Sequence, residues 1–239
     1  DNRSFAIIGN DGGLLNSPVT VNRVKIMPGE RVEILVNLGG DALGSTLDFK
    51  AYNSGQKFGF PGAEPASAGD FGSLINNKDF NVLHIKVGAS TTSAITALPS
   101  KLASNTYWTN SDVTNSRTIN ITGGQAGAAF TFDNNTYGFT TINQNIKLDA
   151  IEKWTIVNNN IFGHSFHVHD VQFKIIARSS GVVGDHESGW KDTVYVPLGE
   201  TVTVIAKFDD FSDTVNPYMY HCHFSNHEDG GMMGQFLVK

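Results

Sequence analysis

The stretch Tyr220-His221-Cys222-His223-Phe224 constrains this chain more than any other, because it sets the only cysteine between two histidines. Side chains that follow one another along a strand point to opposite faces. If the stretch is extended, Cys222 faces one way while His221 and His223 face the other. A metal held through Cys222 and a second held through the two imidazoles are then joined by a few covalent bonds of backbone. That geometry suits electron transfer.

Further donors lie close by. His227 follows Cys222 by five residues and Met232 follows His227 by five, across a segment loosened by Gly230 and Gly231. A thiolate, imidazoles and a weak thioether form the donor set of a blue-copper site, two His and one Cys with a long axial Met. Met233 competes for the axial place; spacing favours Met232, and Met233 is expected in the core. The second imidazole comes from His164-Ser165-Phe166-His167-Val168-His169, where His167 and His169 share one strand face and His164 lies on the other. Six of the eight histidines thus fall into two clusters, each divided between the same two faces. A Cys/His cluster alone is also the pattern of a zinc site; two matched clusters with a spaced methionine favour copper.

The rest of the chain reads as all-β. Runs such as Arg31–Val36, Val82–Val87 and Thr201–Ala206 are β-branched or alternating, and clusters of Gly, Asn and Asp separate them. Many short strands between regular turns indicate a sandwich or barrel. With 239 residues, 40% of them hydrophobic, the chain can bury a large core. No apolar run approaches the ~20 residues of a membrane-spanning helix. The net charge of -6 argues against nucleic acid or an anionic membrane surface as partner.

His-x-x-His-x-His followed by His-Cys-His-x-x-x-His-x-x-x-x-Met resembles the C-terminal copper signature of the multicopper oxidases. Gly189-Trp190-Lys191-Asp192-Thr193-Val194 and His227-Glu228-Asp229-Gly230-Gly231-Met232-Met233 are similar to the bacterial laccase and copper-efflux oxidase branch. The resemblance implies cupredoxin-like Greek-key β-barrels, one partial and one complete. We expect a partial domain without copper ligands at 1–95, a linker at 96–114 and a copper-binding domain at 115–239. An echo within the chain agrees with serial domains: Met27-Pro28-Gly29-Glu30-Arg31 and Pro197-Leu198-Gly199-Glu200-Thr201 each lead through a Gly-Glu turn into a β-rich run. The opening residues are similar to the middle of the family's second domain, so an N-terminal portion, covalently joined or nicked, is the expected partner.

Carried over by resemblance, His164, Cys222, His227 and Met232 are the type 1 copper ligands. His167 goes to the type 2 copper, and His169, His221 and His223 to the type 3 pair. Half of the histidines of this trinuclear cluster come, in the family, from two further His-x-His motifs in the N-terminal domain. This chain has no such motif, and His84 and His186 read as structural or solvated. Glu228 is implied as a proton relay and Cys222 as the electron conduit. Asp192, beside Trp190, is a candidate for the wall of the blue site, for a substrate contact or for a surface salt link. Asp170 stands where the family commonly has glycine, and Asn158–Gly163 is expected to shape the approach to His164.

The expected function is oxidation of a phenolic, amine or metal-ion reductant with reduction of dioxygen to water. A cuprous-ion oxidase is disfavoured by the lack of a Met-rich insertion. An electron-transfer or copper-binding module without oxidase activity is the main alternative; a copper nitrite reductase and a purely structural relative are weaker ones. Location outside the cytoplasm (secreted, periplasmic or cell-surface) is implied by the family alone.

Overall fold

A computed structural model describes residues 1–69 and 72–239, and the fold is almost entirely β. Its larger part is a sandwich of two five-stranded sheets. One has the order β11-β13-β9-β6-β7, from β6 (Asn115–Gly123), β7 (Phe130–Phe132), β9 (Ala150–Asn158), β11 (Phe173–Arg178) and β13 (Thr201–Phe208). The other has the order β12-β10-β14-β15-β8, from β8 (Gln144–Ile146), β10 (His164–Val168), β12 (Thr193–Val196), β14 (Asp213–Cys222) and β15 (Met233–Val238). From β9 to β14 the chain crosses between sheets at every connection.

Alternation drives this arrangement. In β9 every second residue is buried, from Ala150 through Glu152, Trp154 and Ile156 to Asn158. Trp154 and Ile156 meet Val202 and Val204 from β13, Phe166 and Val168 from β10, Tyr220 and Cys222 from β14, and Phe236 and Val238 from β15 in one core. The two polar members of the row are answered. Glu152 accepts from Arg117 at 2.5 Å and from the Trp154 indole at 3.1 Å. Asn158 donates to the carbonyls of Phe162, Val196 and Pro197. Buried polar groups persist only when paired in this way.

The N-terminal sheets are thinner. β1 (Phe5–Asn10), β2 (Gly13–Val21) and β3 (Val32–Leu35) form a three-stranded sheet, and β4 (Thr46–Ala51) with β5 (Phe80–Lys86) a separate ribbon. Along β5, Val82 and Leu83 are both exposed, as are Leu43, Leu74 and Ile95 elsewhere in this region. These elements form the expected partial barrel, and they leave apolar surface uncovered. His84 sits on the ribbon with Asp48 at 2.7 Å and belongs to neither donor group found among the described residues.

The two regions are sewn together. Lys191, 3% exposed, lies 3.1 Å from Asp11 and 3.2 Å from Glu30. The Ser165 hydroxyl donates to the Pro28 carbonyl at 2.6 Å, and Arg31 forms a two-pronged ion pair with Asp192. Among the described residues no helix is long and apolar enough to cross a membrane.

Candidate metal centre

The pairing of β10 with β14 decides which donors meet. His167 is opposite His221 and Phe166 is opposite Cys222, so the two pairs project from opposite faces. The chain stays extended past the end of β14, with the His223 amide donating to the Ser165 carbonyl at 2.8 Å. One short helix, α1 (Ser225–Asp229), then turns back and buries His227. The segment expected as a loosened loop is in part this helix.

On the core side, His164, Cys222 and His227 offer ligand atoms that all lie within 4.8 Å of one another. The Cys222 Sγ is 3.7 Å from His164 Nδ1 and 3.5 Å from His227 Nδ1. Burial pushes the Cys222 thiol up to about 12 and the His164 imidazole down to about 3, with the nearby His227 adding to the latter. His227 is lowered to about 4, again by burial. Both rings are therefore neutral and carry lone pairs, and the His164 Nε2 is sealed from solvent without a hydrogen-bond partner. Met232 is fully buried; its amide donates to the His227 carbonyl and its carbonyl accepts from the Cys222 amide. Met233 differs from the core position expected of it: it is only half-buried and lies opposite His221 in the β14–β15 pairing.

On the other face, His167, His169 and His221 bring ligand nitrogens within 4.8 Å of one another. The Nε2 atoms of His169 and His221 are 3.2 Å apart. The His223 ring centroid is 5.4 Å from that of His167 and 5.3 Å from that of His221. Four imidazoles crowd this face, and two of them are shifted. His169 is lowered to about 4 by burial and then by His167, His221 and His223. His221 is also lowered, by burial above all. The His167 Nδ1 faces the Asp192 carbonyl at 2.9 Å. A carbonyl only accepts, so Nδ1 carries the proton and Nε2 presents the lone pair. Glu228 comes to this face as well, its Oε2 lying 3.3 Å from His221 Nδ1.

Sequence reasoning left Phe130 unnamed and gave Phe162 only as part of the Asn158–Gly163 loop. Phe130 packs on both core-side rings, 4.6 Å from His164 and 4.5 Å from His227 between centroids. Phe162, from the loop before His164, lies 5.9 Å and 5.8 Å from the same two rings. Asp192 belongs to the histidine face and not to the wall of the cysteine site. Burial alone would raise its carboxyl, but hydrogen bonds from His167, Arg31 and Thr193 hold it well below the ordinary range. Its pair with the exposed Arg31 matches the salt-link alternative. His186 joins neither cluster; its carbonyl accepts from Asn10.

A soft thiolate, neutral imidazoles and a buried thioether suit copper better than zinc. The family profile described as "Multicopper oxidase" matches residues 110–239, more than half of the chain. The chain belongs to the multicopper oxidase family. Copper is the cofactor of that family, and the two donor faces fit it. The bilirubin oxidase of Albifimbria verrucaria is 31% identical over 97% of this chain and 39% of its own length. A laccase of Bacillus stratosphericus is 30% identical over 95% of this chain and 45% of its own. The solved McoA multicopper oxidase of Aquifex aeolicus superposes with a TM-score of 0.80 at 26% identity, over 99% of this chain and 50% of that one. The fold is thus all-β and cupredoxin-like, and the chain spans about half the length of these multicopper oxidases.

Proposed function

We propose that this chain is the copper-carrying C-terminal part of a laccase-like multicopper oxidase, with a partial domain at 1–95, a linker at 96–114 and a copper domain at 115–239. In this reading it oxidises a phenolic, amine or metal-ion reductant and passes the electrons to dioxygen, which becomes water. The observation that carries the reading is the division of donors by the β10–β14 pairing into a cysteine face and a histidine face one residue apart.

His164, Cys222, His227 and Met232 would hold the type 1 copper, His167 the type 2 copper, and His169, His221 and His223 their share of the type 3 pair. Bound copper would supply one-electron redox chemistry at the first face and oxygen chemistry at the second. Cys222 links the faces, because its backbone continues directly into both flanking histidines. Phe130 and Phe162 keep water from the cysteine-side rings, which strengthens electrostatic interactions there. Glu228, partly exposed beside His221, can take protons from solvent and deliver them to the face where oxygen reduction consumes them. The N-terminal portion of the same oxidase would complete the histidine face and cover the apolar ribbon of β4 and β5. By family, the protein is secreted, periplasmic or held at the cell surface.

Copper content and oxygen uptake test this. Several coppers per molecule with oxygen consumption, in protein that retains its N-terminal portion, support the oxidase. About one copper, a thiolate absorption and no oxygen consumption would instead make it a blue-copper electron-transfer module.

A further inference from the structure

The turn Met27-Pro28-Gly29-Glu30-Arg31 reaches across from the N-terminal sheets onto the histidine face. Its twin, Pro197-Leu198-Gly199-Glu200, has the same local build. The Glu30 amide donates to the Met27 carbonyl and the Glu200 amide to the Pro197 carbonyl, at 3.0 and 3.1 Å. Gly29 and Gly199 both adopt left-handed backbone, with φ of 89° and 69°. Their surroundings differ. A Cβ on Gly199 would meet nothing within 4 Å, whereas one on Gly29 would lie 2.5 Å from Cδ2 and 2.7 Å from Cγ of His223. The backbone of Gly29 is thus a flat seat for that imidazole. Ser165, paired through its carbonyl with the His223 amide, also fixes the turn by donating its hydroxyl to Pro28.

The same turn touches a second imidazole through one intermediary. Arg31 grips both oxygens of Asp192, at 2.9 and 2.6 Å. The Asp192 carbonyl and the Thr193 hydroxyl accept from His167 Nδ1 at 2.9 and 3.0 Å, and Thr193 donates in turn to the Asp192 carboxylate. The Asp11 carboxylate holds the amides of Asp192 and Thr193 from the same side.

We propose that the Met27–Arg31 turn is a positioning element for the histidine face, Gly29 seating the His223 ring and Arg31 fixing His167 through Asp192. The inference rests on the multicopper reading and adds residues outside the copper domain that act on its ligands without touching metal. Partners that orient a ligating imidazole typically change metal affinity 10- to 100-fold when removed.

The test compares wild type, Gly29→Ala, Gly199→Ala and Arg31→Lys in the full-length copper-loaded protein. Chelator competition is followed by EPR for histidine-face copper and by thiolate-to-copper absorption for the cysteine face. Gly199→Ala carries comparable backbone strain with no neighbour to strike, and is expected to keep both signals at wild-type affinity. Gly29→Ala is expected to keep the thiolate absorption while releasing histidine-face copper at least about tenfold more readily. Arg31→Lys retains the charge but not the two-pronged grip; it should alter the hyperfine splitting of histidine-face copper and leave the thiolate band alone. Gly29→Ala and Arg31→Lys that both match Gly199→Ala within about twofold, with unchanged splitting, overturn the proposal. If Gly29→Ala does not fold, Arg31→Lys decides by the same criterion, since its side chain is exposed. Wild type that binds copper at the cysteine face alone overturns the multicopper reading itself, a distinct outcome visible before any variant is made.

Discussion

Cys222 lies opposite Phe166 across β10 and β14, one step from the pair of His221 and His167, which projects from the other side of the sheet. The two faces should therefore respond separately to mutation. Cys222→Ser is expected to abolish the thiolate-to-copper absorption while copper on the histidine face keeps its EPR signal. Absorption and EPR on one sample check this, and joint loss of both signals in a folded variant would mean the faces form one centre.

Glu228 is placed to serve His221, 3.3 Å away. Glu228→Gln keeps the size of the side chain and removes its proton chemistry. Oxygen consumption by the complete enzyme is expected to fall on the order of a hundredfold, with the thiolate absorption unchanged. Equal turnover by variant and wild type from acid to neutral pH would remove Glu228 from the reaction.

Lys191 is sealed between Asp11 and Glu30 at the junction of the two regions. Burial pushes the Glu30 carboxyl up, and Lys191 is the charge that opposes this. Lys191→Met leaves the two buried carboxylates with backbone amide donors but without the cation between them, and breaking a buried pair in this way typically costs about 3–5 kcal/mol. Denaturant unfolding at neutral pH measures it. A loss below about 1 kcal/mol, the range of an ordinary substitution, would mean that water relieves the cluster.

Asp170 has left-handed backbone, φ 73°, a conformation that glycine takes more readily than a residue with a Cβ. Both carboxylate oxygens are sealed and without partners. Burial, with Asp210 and Asp209 adding to it, raises this carboxyl to about 6. An unfolded aspartate titrates near 3.9. Below about pH 4 both states hold the proton and the group contributes nothing. Between about pH 4 and 6 the unfolded state ionises first, so native stability falls, and above that range the loss is constant. Asp170→Asn, which tolerates the same backbone, is expected to equal wild type near pH 4 and exceed it above about pH 6. Allowing for solvent screening, the gain is about 1 kcal/mol. Thermal midpoints across this range check it; a gain that is the same at every pH would assign the effect to backbone strain.

Period-two alternation made most of the site legible. It separates Cys222 from His221 and His223, and His164 from His167 and His169, whatever the strands pack against. The α1 turn was not legible, because five residues are too few for a helical period to register and tertiary contact holds them. Nor does local sequence distinguish the turn at Gly29 from the one at Gly199. Their motifs agree, and only the packing of one region on the other decides which meets an imidazole. Asp192 illustrates the same point: its neighbours Trp190 and Lys191 say nothing of Arg31, 161 residues away.

Because Cys222 and His221 are consecutive in β14, the gap between the two donor faces is set by a backbone ruler, with adjacent Cα atoms about 3.8 Å apart. With copper held as proposed, altering Phe130, Phe162 or Met232 would retune the driving force at one end without lengthening the hop. Inserting a single residue between cysteine and histidine would shift the register and turn one donor set away from its partners. Drift in potential is therefore open to this scaffold by point mutation, whereas drift in spacing is closed to it.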